Sequence, residues 1–169
     1  MTRVVVAAVM VAAFATAATA QQPGSRQTRD FVQAAAQSDT FELLEATTAL
    51  AQSQNTEVRS FAQAMIQAHR QTSDALRAAV AKAGLAQPDP GVSGDQSAFL
   101  AALQSARGPD FDRLYVRQQM LAHRATLAVE QGYATSGDDA TIRHMASTTV
   151  PIVSSHLQMV EQMQPKTGS

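Results

Sequence analysis

Four side chains in this sequence have the types and spacing to hold a metal ion together: Glu42, His69, His123 and His156. Each falls on the apolar side of a different helical repeat. Glu42 shares a stripe with Phe31, Ala35, Ser38, Glu45 and Ala49, with Phe41 and Leu44 at its edge. His69 follows Met65 by one turn on a stripe that includes Val58, Phe61, Ala62, Thr72, Leu76 and Val80. His123 lies with Tyr115, Gln119, Leu127 and Glu130. His156 lies with Ile142, Met145, Thr149, Ile152, Met159 and Met163. Imidazole nitrogens with one carboxylate suit zinc, copper or iron. A structural reading stands beside the metal one, because a buried polar cluster can also be satisfied by hydrogen bonds alone and serve to set helix register.

Other chemistry finds no motif. The sequence contains no nucleophile elbow, no Gly-rich phosphate loop and no His-Glu-x-x-His, so no catalytic residue and no organic cofactor site is assigned. The residues three before the three histidines are Ile66, Met120 and Val153, which excludes the paired Glu-x-x-His motifs of di-iron bundles and points to a single ion. Met65, Met120 and Met159 each stand one turn from a histidine and offer thioether sulfur to copper, although Met is also ordinary core filler. His144, among Ala140, Thr141, Ser147 and Thr148, reads as a solvated histidine.

The elements that must position these groups are helices. Ala is the commonest residue, and helical periodicity recurs four times. The first helix is expected from near Asp30 to Gln52, with Ser53 to Asn55 as a tight turn. The second begins with Thr56 as N-cap and stops at Gly84. A Pro-, Gly- and Ser-rich connection follows, carrying a short helix over Asp95 to Ala106. Pro109 opens the third long helix, which runs to about Thr135, and Ser136-Gly137 turns the chain into the fourth, about Asp138 to Met163. Pro151 is expected to kink that last helix. Counted from the turns, Glu42, His69, His123 and His156 all lie near mid-helix, so they can share one depth. Two tight turns and one long connection favour a ferritin-like four-helix bundle, because parallel second and third helices need a link of roughly 35 to 40 Å for helices of about 25 residues.

Composition limits partners and compartment. Arg3 precedes an apolar run from Val4 to Ala18, too short for a comfortable membrane span, and Ala18-Thr19-Ala20 supplies small residues at a cleavage site. The expected organisation is a signal peptide over 1–20 cleaved after Ala20, a flexible leader over 21–29, the bundle over 30–164 and a tail over 165–169. Export places the mature chain in the periplasm or outside the cell, without stable membrane insertion. The 13 Lys+Arg and 14 Asp+Glu become 12 and 14 once Arg3 is removed, a net charge of -2 with no basic stripe for nucleic acid. With Cys at 0, disulfides and thiolate ligands are both absent. About 150 mature residues suffice for one packed core. Nothing in the pattern specifies an oligomeric state.

Several stretches give a family resemblance: Ser38-Asp39-Thr40-Phe41-Glu42, the run Gln54 to His69, Phe111-Asp112-Arg113-Leu114-Tyr115, Ala122-His123, and Val150-Pro151-Ile152-Val153-Ser154-Ser155-His156-Leu157. Over nearly the whole mature chain the sequence resembles the bacterial exported family called domain of unknown function four-one-four-two. The resemblance implies a ferritin-like bundle and the same four residues, Glu42, His69, His123 and His156. The chain departs from the family pattern at Ala68 and Arg124, where acidic residues often stand beside the second- and third-helix histidines. The functional expectation is a periplasmic bundle binding one metal ion. The alternative is a non-enzymatic structural or envelope-stress protein with a polar core and no metal.

Overall fold

The computed structural model describes residues 23–164, so the expected signal segment over 1–20 and the tail over 165–169 lie outside the described residues. Five helices and no strand make up the described chain: α1 (Arg26–Gln52), α2 (Thr56–Lys82), α3 (Gly94–Ser105), α4 (Gly108–Ser136) and α5 (Ala140–Gln162). Among the described residues no helix is long and apolar enough to cross a membrane.

Local chemistry explains the boundaries. Ser25 caps α1 by accepting from the Thr28 amide, so α1 starts at Arg26, and residues 26–29, read from sequence as leader, form its first turn. At α2 the cap is Asn55, whose side chain accepts from the Glu57 and Val58 amides, and Thr56 is the first helical residue instead of the expected cap. Asn55 is one residue further from the helix, where its short amide reaches both free N–H groups. α2 ends in a Schellman turn: Gly84 (φ 67°) follows Ala83, Gly84 N–H donates to Ala81 and Leu85 N–H to Val80. Ser93 and Gln96 bond reciprocally to start α3. α5 passes through Pro151 as one helix. Ser147, whose carbonyl loses its helical donor there, is exposed, and water can supply the missing bond.

α1 pairs with α2 and α4 with α5. α1 also packs on α4, α2 on α5, and α3 lies against α1 and α4. The α2–α4 connection, with α3 inside it, carries the chain back along the bundle, so α2 and α4 run parallel and every packed pair of long helices is antiparallel. This is the ferritin-like connection expected from the sequence. The start of α1 is pinned to the α4–α5 turn, where Tyr133 Oη lies 2.7 Å from Thr28 Oγ1, Thr28 donates to Asp138, and Tyr133 stacks on Phe31 with ring centroids 4.1 Å apart.

The core has three layers along its axis. One apolar cluster gathers Phe31, Val32, Leu76, Val80, Tyr133 and Ile142 at one end. Another gathers Ala46, Phe61, Met65, Phe111, Tyr115 and Val160 at the other. Between them lie Asp39, Glu42, Glu45, His69, Thr72, Gln119, His123, Glu130, Thr149 and His156, all buried. The apolar line of α5 runs through Ala146, Val153 and Val160, while Ile152 and Met159, expected in line, are 38% exposed. A straight helix of 3.6 residues per turn shifts the inward row by one position along this length.

Two glycines separate conformational from steric constraint. A Cβ at Gly84 meets nothing within 4 Å, so Gly84→Ala is expected to cost about 1 kcal/mol through its left-handed backbone alone. At Gly137 a Cβ would lie 2.6 Å from the Tyr133 carbonyl oxygen, and Tyr133 is held by Thr28 and Phe31, so Gly137→Ala is expected to cost more. Urea denaturation of the two variants gives that order directly.

Candidate metal centre

His69, His123 and His156 come from α2, α4 and α5 and meet in the polar layer. One nitrogen from each lies within 4.8 Å of the other two. Ring centroids are 5.8 Å apart for His69–His123 and 5.4 Å for both His69–His156 and His123–His156. All three rings are buried.

Hydrogen bonds behind two of the rings orient them. His69 Nδ1 lies 2.8 Å from Asp39 Oδ1, and Asp39 is itself held by Thr72 Oγ1 at 2.8 Å and Ser73 Oγ at 3.0 Å. His123 Nδ1 donates to the Gln119 carbonyl at 2.8 Å and lies 3.7 Å from Glu42 Oε1. With Nδ1 carrying the proton in both rings, the Nε2 lone pairs are free. His69 Nε2, His123 Nε2 and His156 Nδ1 are all buried without a hydrogen-bond partner. Buried polar atoms are ordinarily satisfied by protein, ordered water or an ion, and these three rings form a group that could hold a metal ion. Bonds of about 2.0–2.1 Å in a tetrahedral site put nitrogens about 3.4 Å apart, inside the 4.8 Å within which one nitrogen of each ring lies. The residues therefore fit a metal ion, and the carboxyl behind His69 is the kind of outer partner that fixes a ligating ring.

The rings do not share charge equally. His156 is pushed down to about 3 by burial and by the neighbouring His69 and His123. Burial also pulls His69 down, but its hydrogen bond to Asp39 and the charges of Glu42 and Asp39 outweigh it and hold the ring above its ordinary 6.5. The surroundings of His69 thus favour a proton on that ring, while His156 stays neutral at neutral pH.

A chain of oxygen donors continues beside the rings. The Gln119 amide nitrogen donates to Oε2 of both Glu42 and Glu45, the latter at 2.8 Å, and Oε1 of each acid is left without a hydrogen-bond partner. Burial and the adjacent Glu42 raise Glu45 to about 8, and burial with the charge of Asp39 raises Glu130 to about 8. Burial and the same two glutamates push the Tyr115 hydroxyl well above 10.

Of the four residues singled out from sequence, the structure brings the three histidines into one group. Glu42 stands outside that group, on the Nδ1 side of His123, with its carboxylate engaged by Gln119. The thioethers do not form a further donor set: Met65 packs in the apolar cluster with Met120 against it, and Met159 is exposed. His144 is exposed. Asp39, Glu45 and Gln119 carry site roles that sequence reasoning did not assign. Their signal was present, since Asp39, Glu42 and Glu45 follow one another at intervals of three on α1, and Gln119 precedes His123 by one turn.

The family model described as Domain of unknown function (DUF4142) matches residues 13–163. The chain belongs to this family. Among solved structures, one titled as the crystal structure of a DUF305 fragment from Deinococcus radiodurans is similar to this DUF4142 chain. The TM-score is 0.72 at 20% identity, over 83% of this chain and 97% of that one. At that identity the likeness establishes the helical fold alone. No curated protein matches the chain.

The raised carboxyls set a sign for pH. Glu45 and Glu130 keep their protons in the fold up to about 8 but lose them near 4.5 when unfolded, so their contribution is full below about 4.5 and is lost as pH rises to 8. His156 acts oppositely, its contribution falling away as pH drops from 6.5 towards 3. Above pH 6.5 the glutamates dominate. The melting temperature of the metal-free protein is expected to fall between pH 6.5 and 8, and Glu45→Gln with Glu130→Gln should flatten that slope in a calorimetric series.

Proposed function

We propose that this DUF4142 protein is an exported periplasmic bundle that binds one divalent transition metal ion through His69, His123 and His156, with Glu42 as the accompanying carboxylate. The observation that carries this reading is that three buried histidines each place one ring nitrogen within 4.8 Å of the other two, in a layer where each ring also has a buried nitrogen without a hydrogen-bond partner. A polar core that only set helix register would pair those nitrogens with protein donors or carbonyls. Asp39 behind His69 and Glu42 behind His123 supply the negative charge that offsets an ion. Zinc, copper and iron are the metals whose preferences match three imidazoles with a carboxylate close behind them.

Untagged protein, stripped of metal and titrated with each of these ions in turn, is expected to bind one equivalent of at least one of them. Binding with the ion at 100-fold above its dissociation constant adds about 2.7 kcal/mol of stability, read as a melting temperature several degrees higher. His69→Ala, His123→Ala and His156→Ala should each abolish both signals, and Glu42→Gln should weaken them. A wild-type protein that takes up none of the three ions would sink the proposal.

Export is supported by the charge of Arg3, the apolar run that follows it and the small residues Ala18 and Ala20, and the absence of Cys suits an oxidising compartment. Protein recovered from the periplasmic fraction is expected to begin at Gln21 by N-terminal sequencing. A product retaining Met1 would contradict this.

A further inference from the structure

Four helices wrap the histidines and two apolar clusters close the ends of the layer, so an ion needs a lateral way in. Two hollows meet at one place on this side of the bundle. An open groove of about 430 Å³ runs between α1 and α4 under α3, walled by small and apolar residues that include Ala34, Phe99, Leu121 and Ala125. Inside the bundle a hollow of about 10 Å³, room for about one water or ion, is bounded by Asp39, His69, Thr72, Met145 and Thr149. The two hollows share Ala35, Ser38, Thr126 and Glu130. Those four residues are thus a single partition between the surface groove and the space beside His69.

The partition is thin and polar. Ser38 Oγ and Thr126 Oγ1 bond across α1 and α4 at 2.7 Å, and Ala35 has no side chain beyond its Cβ. Glu130 is 3% exposed, and its Oε2 is buried with no partner. A carboxyl in this position is costly as packing, since an alanine or leucine would fill the same place without an orphan oxygen. It is well suited to a cation that sheds water on its way inward, because a carboxyl oxygen and two hydroxyls can replace the lost ligands for the duration of the passage.

We propose that Glu130, with the Ser38–Thr126 pair beside it, forms a transit site through which a divalent transition ion moves from the α1–α4 groove to His69. This inference rests on the metal-binding reading above. An arriving ion displaces the proton of the Glu130 carboxyl, which leaves through the groove, and the carboxyl takes a proton back once the ion has moved on to the nitrogens. Glu130 contributes to the path and not to the final ligand set, so it should alter the rates of loading and release together.

The test is stopped-flow mixing of metal-free protein with cobalt(II), followed by the absorbance of the bound ion, alongside equilibrium titration with the same ion. Glu130→Gln matches the shape of the protonated acid and Thr126→Val matches that of threonine, so thermal melts can verify that both variants fold. Glu130→Gln, which cannot give up a proton to offer an anionic oxygen, is expected to slow association roughly tenfold, the scale of one lost charge-assisted contact on the path, with the dissociation constant nearly unchanged, and Thr126→Val to slow it less. Unchanged rates in both variants would overturn the transit site, as would a weakened equilibrium affinity at unchanged association rate, which would make Glu130 a ligand or a structural group. If wild-type protein binds no cobalt while zinc, copper and iron also fail, the metal-binding reading itself falls and carries this inference with it.

Discussion

Three buried imidazoles, each with one nitrogen within 4.8 Å of the other two, are the constraint around which this bundle is organised. No protein group among the described residues bonds to one nitrogen of each ring, and a cluster of aromatic and aliphatic side chains packs on either side of the layer. Such an arrangement is unfavourable for the polypeptide alone. It persists because the surrounding helices are held by their own packing and because the backs of His69 and His123 are tied to Asp39 and to the Gln119 carbonyl.

The polar layer is also an electrostatic device. The three rings come from three helices, the acids Asp39, Glu42 and Glu45 from a fourth, and Glu130 from α4, so positive and negative groups meet only when the bundle is assembled. Burial resists charge everywhere in the layer. The result is a division of states: His156 neutral, His69 the ring that takes a proton beside Asp39, and Glu45 and Glu130 carrying protons well above the usual carboxyl range. Exchange of such protons for an ion is the natural chemistry of this kind of site.

Much of the architecture was legible in the residues because the signals are local. Gly84 after an apolar repeat, Pro109 at a helix start and the Pro-rich link between α2 and α3 each act through their own backbone geometry. The misses have local reasons too. Asn55 outcompetes Thr56 as a cap because its amide reaches two free N–H groups, and Ser25 extends α1 by a turn. On α5 the inward row passes from Ile152 to Val153, a rotation too small to read from period alone. The side-chain bonds between helices left no such trace, and so Asp39, Glu45 and Gln119 were visible as residues on the inner stripes but not as partners.

By itself the sequence determined the helical class, the two tight turns and the long crossover, and it placed His69, His123 and His156 at matching depths on inward faces. Those properties follow from spacing along one helix and from chain length, which are quantities of the primary structure. Tertiary structure alone decided that the three rings meet with one nitrogen of each within 4.8 Å of the others, that Glu42 lies behind His123 and accepts from the Gln119 amide, and that Glu130 separates a surface groove from the hollow beside His69. The reason is that rotation of each helix about its own axis and the choice of side-chain rotamer are set by packing against the other three helices.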